Sequence, residues 1–316
     1  MRAMAITEFG GPDRLQPMDL PDPLVGPDSV LIRMRAAGIN PVDYKARQGN
    51  LANRIPNFFP LIPGWDAAGV VEGVGPAVTT FSPGDEVYAY CRKDFLRDGT
   101  YAELVSVRDY AVAHKPGRLS FEEAGAVPLA GLTALQVLRH ALDVRAGDRV
   151  LVHAGAGGVG SFAVQIAKYD DAYVIATASA RNHDYLREIG ADEVIDYTSE
   201  DFVAVIRERH PNGIDAVVDT IGGEVQERSA EVLAPGRGRL CSIIVPPDEK
   251  ALRARGLRGH YVFVRPDAAG LRVLAAMADS GHLRVHLSEV FALEEAARAQ
   301  KVLEGGHVRG KIVLRI

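Results

Sequence analysis

Two hydrophobic patterns divide the chain. Up to about residue 122, apolar and polar residues alternate over short runs separated by Pro and Gly. Examples are SVLIRMRAAGI (29–39), GDEVYAY (84–90) and TYAELVSV (100–107). Such alternation predicts short, half-buried strands of a mostly antiparallel, barrel-like domain. From about residue 123 the apolar residues come in continuous runs: DRVLVHA (148–154), YVIATAS (173–179), EVIDY (193–197), IDAVVDTI (214–221), GRLCSII (238–244) and GHYVFV (259–264). Short continuous runs suit strands covered on both faces. Between the first five lie segments of helical periodicity: SFAVQIAK (161–168), NHDYLREIG (182–190), DFVAVIRERH (201–210) and EVQERSAEVLA (224–234). This alternation predicts a parallel, doubly wound α/β sheet. After about 263 follow two helical stretches, 269–281 and 293–306, and a last strand, KIVLRI (311–316).

The chain has 316 residues, which points to two domains. A net charge of −5 gives no reason to expect a nucleic-acid or anionic-membrane partner. No apolar run reaches the ~18 residues of a membrane span. The first residues lack the basic-then-apolar order of a secretory signal. Two cysteines, Cys91 in a polar loop and Cys241 in a buried strand, make no disulfide framework and are not spaced as zinc ligands. The expectation is a cytoplasmic protein.

HAGAGGVGSFAVQIAK (153–168) satisfies G-x-G-x-x-G through Gly155, Gly157 and Gly160, with a strand before and an amphipathic helix after. In that setting Gly155 permits the tight turn. Gly157, Gly158 and the Val159 backbone approach a pyrophosphate, and Gly160 packs helix on strand. The helix N-terminus adds free donors and a positive dipole end. The second strand ends in ATASARN, with no Asp or Glu at 178–180 to hold a ribose 2′-OH. Ser179 and Arg181 suit a 2′-phosphate instead, so the expected cofactor is NADPH.

Several reactions lack their residues. No Tyr-x-x-x-Lys, His-Glu-x-x-His or G-x-S-x-G occurs. His282 and His286 have no Glu partner. GGHVRGKI (305–312) lacks the Ser or Thr of a phosphate-binding loop.

The segments 36–49, 60–75, 81–90, 99–107, 124–138, 153–168 and 308–316 together resemble the zinc-independent medium-chain dehydrogenase/reductases of the quinone oxidoreductase and enone reductase group. The zinc-dependent relatives carry a Cys near Asn40 and a Gly-His-Glu near Gly64, where this chain has Asn40 and Gly64-Trp65-Asp66. No metal site is expected. The resemblance implies a GroES-like, mostly antiparallel β catalytic domain (1–122 with 263–316) and a Rossmann NADPH-binding domain (123–262), with the active site in a cleft between them. It implies a homodimer or tetramer that reduces a quinone or the double bond of an α,β-unsaturated ketone. An enoyl-thioester reductase and a non-catalytic NADPH-binding protein are the alternatives.

The residues carried over are Lys45, Asn40 and Tyr44 for catalysis, with Asn40, Tyr44 and Trp65 in the substrate pocket. Lys45 or Asn40 would hold the substrate oxygen. Thr133, Tyr197, Ile221, Ile243, Phe263, Val264 and Lys311 would contact the cofactor.

Overall fold

The computed structural model describes residues 1–316 and divides the chain into two compact units. The first comprises residues 1–132, 265–281 and 285–316; the second comprises 133–264 and 282–284.

The first unit is built on a seven-stranded sheet. Its centre is the long strand Ser29–Ile39, which pairs antiparallel with Asp66–Val74, Leu104–Arg108 and the C-terminal strand Lys311–Arg315. The one parallel pair in this sheet joins Leu287–Ala292 to Lys311–Arg315. The expected alternation holds on Ser29–Ile39: Val30, Ile32, Met34 and Ala36 are buried, while Arg33 and Arg35 point out. A short helix, Pro41–Arg47, follows this strand. Its start fits its sequence, with Asn40 at the N-cap, Pro41 in the first turn and Asp43 accepting the Asn40 N–H at 2.8 Å.

The second unit is a six-stranded parallel sheet flanked by helices. Its strands are Arg149–Val152, Tyr173–Ala178, Glu193–Asp196, Ala216–Asp219, Arg239–Ser242 and Arg258–Tyr261. Numbered along the chain, their order across the sheet is third, second, first, fourth, fifth, sixth. That is the dinucleotide-binding order, whose switch point lies between the first and fourth strands. All six coincide with the apolar runs read from the sequence. One helix, Glu249–Ala254, lies before the last strand and was not expected; six residues carry too little periodicity to announce it.

The boundary at 132/133 lies ten residues beyond the expected 122/123. The reason is close packing of 121–132 on the first sheet. A Cβ at Gly38 would sit 2.4 Å from the Gly125 carbonyl oxygen, and the Leu129 N–H donates to Asp66 at 2.6 Å. At the other end, Phe263 and Val264 stay with the second unit instead of joining the first. No helix is long and apolar enough to cross a membrane.

Candidate active site

In the second unit, the strand Arg149–Val152 runs into the glycine-rich turn, and the helix Gly158–Tyr169 begins at once. The left-handed residue of this turn is Ala154, at φ 47°, and not Gly155. Its N–H donates to Thr177 Oγ1 at 3.1 Å, which holds the residue in that conformation. Gly155 is needed for space: a Cβ there would lie 2.9 Å from the Ala176 Cβ. At Gly160 a Cβ would lie 2.2 Å from the Ala154 carbonyl oxygen, so the helix can sit this close only with glycine. Gly157 is the N-cap, and no side chain caps the helix. Gly157, Gly158 and Val159 are half-buried, so the first-turn N–H groups border open space. An uncapped helix start beside small residues fits a pyrophosphate.

Apart from Thr133, which lies in the helix Pro128–Leu135, the other candidates in this unit lie at the carboxyl ends of the sheet's strands, where doubly wound sheets bind ligands. Ser179 follows the second strand and Arg181 is exposed two residues on. Tyr197 (58% exposed) follows the third strand, Ile221 (49%) the fourth and Phe263 (46%) the sixth. Ile243 is half-buried after the fifth, while Val264 and Thr133 are buried. The fourth, fifth and sixth strands are neighbours in the sheet, and the exposed Ile221 and Phe263 with the half-buried Ile243 at their ends suit a flat ring system better than water.

Two buried side chains shape these ends without having been expected to. Asp219 closes the fourth strand: Oδ1 accepts the Ile221 and Gly222 N–H groups, both at 2.9 Å. Its Oδ2 accepts from Gln226, whose amide also donates to the Val245 carbonyl at 3.0 Å. One carboxylate thus sets two strand exits, and an acid ending an apolar run was the available signal. His153 is buried, with Nε2 2.9 Å from Ser229 Oγ. Burial pushes its pKa down to about 4, so it is a neutral packing residue.

In the first unit the helix Pro41–Arg47 separates its residues by face. Asn40, Asp43 and Arg47 point inward and are buried; Tyr44 and Lys45 are half-exposed. Asn40 is 2% exposed, and its amide is committed on both sides. Nδ2 donates to Asp66 at 2.8 Å, and Oδ1 accepts from the Lys311 ammonium. It therefore anchors the helix. Lys311 is buried as well, donating to the Ile39 carbonyl at 3.1 Å and lying 3.7 Å from Asp66. Its ammonium is engaged inside this cluster.

Trp65 is packed at 7% exposure, edge-on to Tyr90. It borders a small crevice with Val42, Gly64, Lys93 and Phe95. Cys91 is buried at a strand end, not in a polar loop, and burial pushes its thiol pKa up. Arg47 is fully buried and donates to Gln300 at 2.7 Å, to the Gly10 carbonyl at 2.5 Å and to Glu304. Of the catalytic candidates, only Tyr44 and Lys45 have exposed surface to offer a ligand.

The alcohol dehydrogenase GroES-like domain family matches residues 26–117, and the family described as zinc-binding dehydrogenase matches 189–314. An Arabidopsis thaliana protein named NADPH-dependent alkenal/one oxidoreductase, chloroplastic, is 35% identical over 99% of this chain and 79% of its own length. The quinone oxidoreductase of Coxiella burnetii superposes with a TM-score of 0.89 at 35% identity, covering 100% of this chain and 99% of that one. The Escherichia coli quinone oxidoreductase, solved with NADPH, gives 0.86 at 26% identity with full coverage of both chains. This chain belongs to the medium-chain dehydrogenase/reductases, a family of NAD(P)H-dependent oxidoreductases. Within it, the chain stands with the quinone oxidoreductases and alkenal/one reductases.

The zinc in the matched family's name does not fit the residues here. An amide and an indole stand at Asn40 and Trp65, and the cation beside Asp66 is the Lys311 ammonium. No three His, Cys, Asp or Glu side chains converge as metal ligands.

Proposed function

We propose that the protein is an NADPH-dependent, metal-independent reductase acting on a quinone or on the double bond of an α,β-unsaturated ketone. The carrying observation is the set of strand ends in the second unit. An uncapped, glycine-lined helix start stands beside a second-strand exit with Ser179 and Arg181 and no carboxylate at 178–180. The names of the alkenal/one oxidoreductase and quinone oxidoreductases support the same reading.

When bound, the cofactor supplies a hydride. The chain's part is to bind and orient. The backbone N–H groups of 158–160 would take the pyrophosphate, and Ser179, Arg181 and Tyr197 the 2′-phosphate. Ile221, Ile243 and Phe263 would give the nicotinamide an apolar seat from which water is excluded. Lys45, with Tyr44 beside it, would hold the oxygen on which negative charge collects as a conjugated acceptor is reduced. A preorganised ammonium at that oxygen is the source of rate the chain can offer without a metal.

The test is a panel of quinones, enones and enoyl thioesters with NADPH and NADH, followed at the nicotinamide absorbance. Turnover of quinones or enones with NADPH preferred is the expected result. Turnover of thioesters alone would replace the substrate class, and binding without turnover would leave a cofactor-binding protein.

A further inference from the structure

The exits of the fourth and fifth strands of the parallel sheet are joined by one buried amide. Asp219 ends the fourth strand, in register with Ser242, which ends the fifth. Beyond them the chain segments stay side by side: the Ile243 N–H donates to the Asp219 carbonyl at 3.2 Å. Gly222 sits at φ 78°, in the left-handed region, and a Cβ there would lie 3.0 Å from Ile244 Cγ2. Gln226, buried in the helix Gly223–Ser229, spans the same gap. Its Nε2 donates to Asp219 Oδ2 at 3.1 Å and to the Val245 carbonyl at 3.0 Å. Asp219 Oδ1 accepts the Ile221 and Gly222 N–H groups. An unbroken run of hydrogen bonds thus leads from Ile221 through Asp219 and Gln226 to Val245.

The residues tied by this run carry the apolar surface. Ile221, Ile244 and Val245 are exposed, and Ile243 is half-buried. Side chains shown to solvent from two separate turns keep a fixed spacing only when the turns are fixed to each other. Buried, mutually satisfied polar groups give that rigidity. We propose that Gln226 is the positioning residue of the nicotinamide seat, holding Ile221 on one strand exit against Ile243 and Ile244 on the next. The inference rests on the NADPH reading above. It also divides the cofactor in two. Gln226 acts on the ring half alone, because the glycine turn and Ser179 follow the first and second strands and make none of these bonds.

Two variants remove the donor in different ways. Gln226→Leu deletes it at nearly constant volume and leaves Asp219 Oδ2 and the Val245 carbonyl without that partner. Gln226→Glu keeps the shape and puts oxygen where the N–H groups were. Dissociation constants for NADPH, NADH and 2′-phospho-ADP-ribose, which is the NADP skeleton without the nicotinamide ring, are measured by calorimetry. NADPH and NADH should each bind about tenfold more weakly to both variants, as for one buried acceptor left unsatisfied. Binding of 2′-phospho-ADP-ribose should stay within about twofold. A residue that only stabilised the fold would weaken all three ligands alike, or none.

Equal weakening of all three ligands, or loss of folding in both variants, would overturn the proposal. An unmodified protein that does not bind NADPH would overturn the cofactor reading and this inference with it. One that binds NADPH no more tightly than 2′-phospho-ADP-ribose would remove the seat. Tighter binding of NADPH that survives both substitutions would overturn this inference alone.

Discussion

Replacing Asp43 by Asn should change how stability depends on pH. Asp43 is 2% exposed, and its Oδ2 accepts the Asn40 N–H at 2.8 Å and the Tyr101 hydroxyl at 3.0 Å. Burial, partly offset by the Asn40 N–H and reinforced by the Asp66 charge, pushes its pKa up to about 7. The groups facing it are Asp66, Tyr101 and Lys311, with Tyr90 nearby. An unfolded Asp titrates near 3.9, so between about pH 4 and 7 the folded state binds the extra proton. Stability from this group is therefore present at low pH and is lost as pH rises through 7. The full cost, reached above pH 7, is about 4 kcal/mol, of which about 2.5 kcal/mol accrues between pH 5 and pH 8. Asn keeps an oxygen acceptor and does not ionise. Thermal unfolding of both proteins at pH 5 and pH 8 isolates the term. Asp43→Asn should gain about 5–10 °C over the unmodified protein on going from pH 5 to pH 8. The direction matters more than the size. A variant whose Tm follows pH in parallel with the unmodified protein would refute the argument, because Asp43 would then be ionised at no cost across that range.

Other substitutions test the separate parts. Gly157→Asp should abolish NADPH binding by calorimetry while the protein stays folded, since a carboxylate would stand at the uncapped helix start. Arg181→Ala should weaken NADPH binding about 10- to 100-fold and spare NADH, and Ser179→Asp should go further; equal dissociation constants in the unmodified protein would sink the cofactor assignment. Lys45→Ala should lower kcat for enone reduction with little change in Tm. Arg47→Ala should cost about 3–5 kcal/mol in denaturant unfolding, because it strands Glu304 beside a fully buried site. Metal analysis should find no stoichiometric zinc, and chelators should leave turnover intact, given Asn40 and Trp65 at the ligand positions.

The parallel sheet was legible because its strands carry their own signal: each is a continuous apolar run, and glycine marks the turn between the first strand and its helix. The glycine-rich turn was legible for the same reason, though the division of labour inside it was not. Nothing in GAGGVG says that the left-handed residue is the alanine before it, since Thr177, from another strand, holds Ala154 there. The burial pattern of the segment 40–47 was not legible. NPVDYKAR contains five polar or charged side chains, and their burial depends on which face of a seven-residue helix meets the sheet. Asn40 and Lys311 look like functional groups in one dimension because buried amides and ammonium ions are uncommon. Their partner Asp66 comes from a different strand, and the contacts exist only after the sheet has formed.

The Lys311 contact also bears on synthesis. The ammonium that neutralises Asp66 and engages Asn40 lies 271 residues beyond Asn40 along the chain. While the chain is being made, the second unit has all but a few of its residues long before Lys311 leaves the ribosome. It can fold on its own local schedule. The first unit cannot: its central strand lacks its neighbour Lys311–Arg315, and its two buried aspartates lack their cation, until that strand has been made. The nascent protein is thus a finished nucleotide-binding unit beside an unfinished partner with an open sheet edge. That interval is when the protein most needs a chaperone, and a chain stalled or truncated before Lys311 would remain in it indefinitely.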